Sequence, residues 1–195
     1  MRVDLIRHGQ VEGNRERRYV GSTDQPLTQE GRASAKEKAY PAVDHVFTSP
    51  LLRCLETAAI LYPECEASTV PELAECDFGE FEYKNYMELS GNADYQAWID
   101  SGGMIGFPGG EDRPTFQARC VRGFREAVRQ AGKEGWERIA LVVHGGTIMA
   151  ILDEFSEPHA DYFQWQCRNM EGYSGILDTE MMQEGIMLKN IIKYK

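Results

Sequence analysis

Val3-Asp4-Leu5-Ile6-Arg7-His8-Gly9 and Ile139-Ala140-Leu141-Val142-Val143-His144-Gly145-Gly146 share one layout. Each is a short apolar run followed at once by histidine and glycine. Runs of this length bounded by glycine read as strands, and the second, apolar throughout, reads as a strand covered on both faces. In an open α/β sheet, ligands gather outside the carboxyl ends of the strands. If the two runs are parallel neighbours, His8 and His144 face one crevice. The chain holds only four histidines, so this pairing bears on fold and chemistry together.

Outward from these runs, strand and helix patterns alternate. That implies an α/β fold, a three-layer α/β/α sandwich on a mostly parallel central sheet. Thr28 is the expected N-cap of a helix reaching about Tyr40, and Val43 to Thr48 is the second strand. Ser49-Pro50 predicts a helix start, with a capping hydroxyl followed by proline at the first helical position. That helix runs to about Tyr62, and residues 66–70 form a third strand. Asp112 caps a helix over 113–131, with Pro114 in its first turn. A loop carries His144, a helix covers 147–155, and residues 174–178 and 186–192 form terminal strands, paired as a hairpin on a sheet edge. Residues 72–111 differ in kind: aromatics, short helical patches and paired glycines suggest an inserted lid. No linker or repeat interrupts the chain, so residues 1–195 are expected to form a single domain with that insertion.

Composition excludes several classes. No apolar stretch is long enough to span a membrane, and no basic stripe suits nucleic acid. The opening strand leaves no room for a signal peptide, so a cytoplasmic location is expected. Cys54, Cys65, Cys76, Cys120 and Cys167 are scattered and odd in number, which fits free thiols rather than a disulfide framework or zinc ribbon. No cluster has metal-ligand spacing. The net charge of −10 is uneven: between Glu64 and Asp112 stand twelve acids and one base, Lys84. If that block borders the site, it should repel polyanions within a Debye length, roughly 8 Å at physiological salt.

Arg7, His8, Arg53 and His144 would gather at one sheet edge, with Arg53 in the first turn of its helix. Two guanidiniums and two imidazoles beside a helix start make an anion site suited to a phosphoryl group. Asn14 adds a neutral amide donor, and Gly21, Gly145 and Gly146 allow close backbone approach. A carboxylate belongs in such a site only if it handles protons. Glu75 fits that role, amid Glu72, Asp77, Glu80 and Glu82.

The ordered blocks resemble the histidine phosphatase superfamily, the phosphoglycerate-mutase-like group. They are Leu5-Ile6-Arg7-His8-Gly9, Asn14, Gly21-Ser22-Thr23-Asp24 with Pro26-Leu27-Thr28, and Thr48-Ser49-Pro50-Leu51 with Arg53 and Glu56-Thr57-Ala58. Glu72-Leu73-Ala74-Glu75 with Phe78-Gly79 and Val143-His144-Gly145-Gly146 complete the series. The resemblance implies that His8 attacks phosphorus, that Arg7, Arg53 and His144 hold the phosphoryl oxygens, and that Glu75 serves as general acid and then base. Only the family register selects Glu75 from its acidic neighbours. The resemblance implies no metal and no cofactor, since arginines supply the positive charge.

The segment after Glu75 is more similar to the family's small phosphatases, such as alpha-ribazole phosphatase, than to its cofactor-dependent mutases, which carry a longer insertion and tail. The expected activity is a metal-independent phosphomonoesterase acting on a small phosphorylated metabolite. Mutase-type transfer and a non-catalytic scaffold are the alternatives. Three positions depart from the family's frequent pattern: Gln10 in place of Glu, Tyr83 in place of Gly, and Asp112 in place of Ser. His45 and His159 fall outside every block and read as structural or solvent-facing. The aromatics of 78–107 read as core packing ahead of a substrate cage.

Overall fold

The structure, a computed structural model, describes residues 1–178 and 185–194. Seven strands form one sheet in the order β3-β2-β4-β1-β6-β7-β5. They are β1 (Arg2–Arg7), β2 (His45–Thr48), β3 (Ala67–Thr69), β4 (Arg138–Val143), β5 (Ser156–Glu157), β6 (Gly172–Leu177) and β7 (Leu188–Tyr194). The helices are α1 (Glu12–Arg15), α2 (Gln29–Glu37), α3 (Leu52–Leu61), α4 (Ala93–Asp100), α5 (Arg113–Glu134) and α6 (Gly145–Phe155). The β1, β2, β3 and β4 strands pair in parallel, whereas β6 runs antiparallel to both β1 and β7.

Alternation along the central strands builds three layers. Val3, Leu5, Ile139, Leu141 and Val143 point to one face and pack with Phe124 and Val128 of α5 and Ile148 and Ile151 of α6. Ile6, Val46, Ala140 and Val142 point to the other and pack with Cys54 and Ala58 of α3. Because both faces are covered, β4 is apolar at nearly every position, as a buried parallel strand requires.

Three local expectations change. Helix α3 begins at Leu52, later than Ser49-Pro50 implied, and its first amide takes the carboxylate of Asp24 at 2.7 Å instead of a Ser49 cap. Helix α6 begins at Gly145, so His144 is its N-cap residue and the two glycines are helical rather than part of a loop. The terminal strands do pair antiparallel, but β6 lies against β1 inside the sheet, and the two-residue β5 forms the edge beyond β7.

Other readings hold in detail. Thr28 accepts the Gly31 amide at 2.9 Å and Asp112 accepts that of Thr115 at 2.7 Å, so aspartate caps α5 where the family often has serine. Tyr83 has φ +58°, the left-handed region that glycine occupies without steric cost, which accounts for the frequent family glycine there. Here Arg18 sits over the Tyr83 ring at 4.9 Å and donates to its carbonyl at 2.6 Å, and both contacts hold the turn. All five cysteines are free. No helix among the described residues is long and apolar enough to cross a membrane.

Leu141 lies fully buried at the centre of the larger core. Leu141→Ala should cost about 2–5 kcal/mol of unfolding free energy. Urea denaturation should show this as a lower midpoint at an unchanged slope.

Candidate active site

Parallel pairing of β1 with β4 places Arg7 opposite Val143, so the next residues, His8 and His144, leave the sheet side by side. Their ring centroids are 5.1 Å apart, at an interplanar angle of 65°. His8 is 3% exposed, and Arg53 and His144 are fully buried. The two imidazoles and the guanidinium therefore meet at the carboxyl edge of the sheet, where the sequence put them.

The partners of each ring fix its tautomer. His8 Nδ1 lies 2.6 Å from the carbonyl oxygen of Gly9, which can only accept, so Nδ1 carries the proton and Nε2 keeps its lone pair. Arg53 Nε donates to His144 Nδ1 at 3.2 Å; a guanidinium never accepts, so His144 carries its proton on Nε2 and donates to Ser49 Oγ at 2.6 Å. Burial, followed by the charges of Arg53 and Arg7, pushes the His8 pKa well below the ordinary imidazole value. Burial, then Arg53, does the same to His144. Both rings are neutral at physiological pH.

Arg53 is the second residue of α3. Its guanidinium is anchored by the carbonyl of Thr23 at 2.9 Å and those of Gly21 and Val20 at 2.8 and 3.3 Å. That loop is held in turn by Glu82, whose Oε1 accepts the Gly21 and Thr23 amides at 2.8 and 3.0 Å. Gly21 serves this packing: a Cβ there would collide with the Cys76 carbonyl. Its close backbone approach is thus to the 72–111 segment. Arg7 donates to the Cys167 carbonyl at 2.6 Å, yet its buried Nε has no partner among the described residues. An unpaired buried donor is costly unless a ligand meets it, and beside two histidines an anion is the matching ligand.

Glu75 lies close enough to Arg53 and Arg7 to feel their charges. Its oxygens accept the Cys76 amide at 3.0 Å and the Gly146 amide at 3.1 Å. Burial raises its pKa above the ordinary carboxyl value, against the opposing pull of those two amides, Arg53 and Arg7. The glycines at the start of α6 make room for these neighbours. A Cβ at Gly146 would strike Glu75 Oε1, and one at Gly145 would come within 3.3 Å of the Arg7 guanidinium carbon. Asn14 stands one step back: its Oδ1 accepts from Asn169 Nδ2 at 3.1 Å, and that amide also donates to the His8 carbonyl at 3.0 Å.

Sequence reading missed Ser49 as the acceptor for His144, Glu82 as the clamp on the Arg53 loop, and Asn169. Each acts through a contact distant in the chain, and Ser49, although inside a family block, read there as a helix cap. The acidic block also changes meaning. Glu88 pairs with Arg18 at 2.7 Å, Glu111 pairs with Arg119 at 2.7 Å, and Asp112 caps α5. Those three charges hold the segment together. His45 stacks on Trp136 at 4.2 Å and bonds Ser68, while His159 is exposed; neither joins the site. No group of three or more metal-ligating side chains occurs among the described residues.

A cavity of about 340 Å³ opens beside Glu75 and Gly146. Rings of Tyr19, Phe78, Trp98, Phe107, Phe116 and Tyr162 line it, and its charged residues are Glu75 and Arg113. The aromatics of 78–107 therefore divide. Phe81 is wholly core, while Phe78, Trp98 and Phe107 pack with it and also present surface to the cavity.

Buried neutral imidazoles, two guanidiniums and a raised carboxyl at strand ends define a class of anion-handling α/β site, and comparison with known proteins gives it a family. The profile of the histidine phosphatase superfamily (branch 1) matches residues 3–181, and the chain belongs to that superfamily. Its members are phosphatases or mutases that act through phosphohistidine. A 2,3-bisphosphoglycerate-dependent phosphoglycerate mutase of Gloeobacter violaceus is 34% identical over 166 residues, 77% of this chain and 73% of that protein. A broad-specificity phosphatase of Saccharomyces cerevisiae is 30% identical over 159 residues, 78% of this chain and 69% of that protein. The crystal structure of the alpha-ribazole phosphatase from Shigella flexneri shares the fold, with a TM-score of 0.79, 96% of this chain and 94% of that chain covered, and 23% identity.

Gly146→Ala should displace the Glu75 carboxylate while leaving the core intact. A misplacement of about 1 Å at a catalytic group can cost about 100-fold in rate. Steady-state assays should show a kcat loss of that order, with thermal unfolding close to wild type.

Proposed function

We propose that the protein is a phosphomonoesterase that hydrolyses a small phosphorylated metabolite through a phosphohistidine on His8. The observation that carries this reading is that Glu75 lines an apolar, ring-lined cavity while lying within reach of the charges of Arg7 and Arg53. Such a cavity suits an apolar leaving group and is a poor match for a small polar sugar acid. Phosphorus would bond to His8 Nε2 as its bond to the ester oxygen breaks, and the Glu75 proton would pass to that oxygen. Water would then attack phosphorus and return a proton to Glu75, releasing phosphate and neutral His8.

Arg7 and Arg53 would stabilise charge spreading over the equatorial oxygens. His144, whose nitrogens bond Arg53 and Ser49, would complete the pocket wall and orient Arg53. Asn14, Gly21 and Gly145 would shape the phosphoryl pocket through Asn169, the Arg53 loop and Arg7. Because guanidiniums supply the positive charge, chelators should leave the rate unchanged. Mutase-type transfer remains the second reading, favoured by the Gloeobacter relative. Supplying 3-phosphoglycerate with bisphosphoglycerate separates the two: inorganic phosphate supports the hydrolase, and rapid isomerisation supports the mutase.

With a chromogenic phosphomonoester, His8→Ala should abolish turnover, and equal rates in variant and wild type would refute the nucleophile. The pH profile of kcat/KM follows from two displaced groups. His8 attacks only when neutral, and its pKa lies well below 6.5, so the acid limb falls far below that pH. Glu75 donates only when protonated, and its pKa lies above 4.5, so the rate declines as pH rises through that raised value. Glu75→Gln should remove the alkaline limb. In kcat/KM, which reports phosphorylation of His8, it should slow alkyl esters by about 10²–10⁴-fold and p-nitrophenyl phosphate far less, since that leaving group needs no proton. By contrast, kcat should fall for both, because the water step loses its base.

A further inference from the structure

Among the described residues that line the cavity beyond Glu75, Arg113 is the one cation, and it is only loosely paired. Arg113 is the first residue of α5, where the helix dipole disfavours positive charge, so helix stability does not explain it. Its guanidinium carbon lies 4.0 Å above the Tyr162 ring and 5.4 Å from that of Phe163. Arg113 forms a long ion pair with Asp153, Nη2 to Oδ2 at 3.8 Å, and the same carboxylate oxygen accepts from Gln117 at 2.7 Å. The hydrogen-bond acceptor Arg113 does reach is the thioether of Met104, at 3.6 Å. A guanidinium offers five N–H donors in a planar fork, so most of these are left for a ligand. Tyr162 supports the guanidinium from below without accepting from it.

The rest of the cavity wall is aromatic. Phe78 and Phe107 meet edge to face at 5.1 Å, and Trp98 lies 5.2 Å from Phe107. At about 340 Å³ the space is at the small end of ligand pockets, which run about 300–1,000 Å³. It accommodates a compact ring system. With Glu75 at one side and Arg113 among the rings, the polar groups of the cavity mark a proton donor for the leaving oxygen and a seat for a second anion.

We propose that Arg113 is a specificity residue that selects phosphomonoesters whose leaving group is a planar ring bearing a second anionic group, a carboxylate being the simplest. This rests on the phosphomonoesterase reading. The ring would lie among Phe78, Trp98 and Phe107, with its carboxylate paired to the Arg113 fork. Among the described residues Glu75 is the one carboxylate that lines the cavity, and the ligand carboxylate would compete only with the long Asp153 pair for the Arg113 fork.

The test compares 4-carboxyphenyl phosphate with 4-carbamoylphenyl phosphate, matched in size and differing in charge. Wild type should favour the carboxylate by about tenfold in kcat/KM, mostly through KM, as a charge-assisted fork contact predicts. Arg113→Gln should bring the ratio close to one, and Arg113→Lys, which keeps the charge but not the fork, should give an intermediate ratio. A ratio near one in wild type, or a preference that survives in Arg113→Gln, overturns the assignment while leaving the esterase reading in place. Hydrolysis of neither ester by wild type overturns both.

Discussion

The backbone amide of His8 donates to the carbonyl of Val143 at 2.9 Å, and the rest of the site depends on that bond. It is the last rung of the parallel ladder between β1 and β4. Beyond it the two chains diverge, each leaving a histidine at the moment it exits the sheet. A slip of one residue would turn every side chain of β1 to the opposite face, exchanging Leu5 for Ile6 in the two cores. Register is thus set by packing far from the chemistry, and the imidazoles come together as a consequence.

Convergence also determines protonation. Two buried imidazoles beside Arg53 and Arg7 cannot hold a proton cheaply, so both stay neutral, and the Gly9 carbonyl and Arg53 Nε dictate which nitrogen is free. The same burial acts with opposite sign on Glu75, which is pushed toward its protonated form. One desolvated pocket therefore prepares a nucleophile and an acid together. The unpaired Nε of Arg7 completes the pattern, since its missing partner matches an anion.

Much of this was legible in the residues themselves. The paired apolar runs ending in histidine and glycine gave the parallel neighbours, and the sandwich followed from the alternation around them. Helix caps at Thr28 and Asp112 read correctly because capping is local chemistry. Ser49 did not, because a distant histidine claims its hydroxyl and Asp24 takes over the cap of α3. Likewise, Gly145 and Gly146 signalled close approach, but which groups approach, Arg7 and Glu75, is decided by tertiary packing. The acidic block, read only as net charge, hid specific structural roles. Net charge says nothing about partners, and Glu88, Glu111 and Asp112 are occupied within the fold.

The central claim is that a phosphoryl group rests covalently on His8 Nε2 during turnover. The most direct measurement is rapid alkaline quench of the enzyme with a phosphorus-labelled monoester, followed by peptide mapping. The account predicts an acid-labile, alkali-stable label on the peptide containing His8, formed at least as fast as turnover. Steady turnover with no label on that peptide, or with the label on another residue, would contradict it.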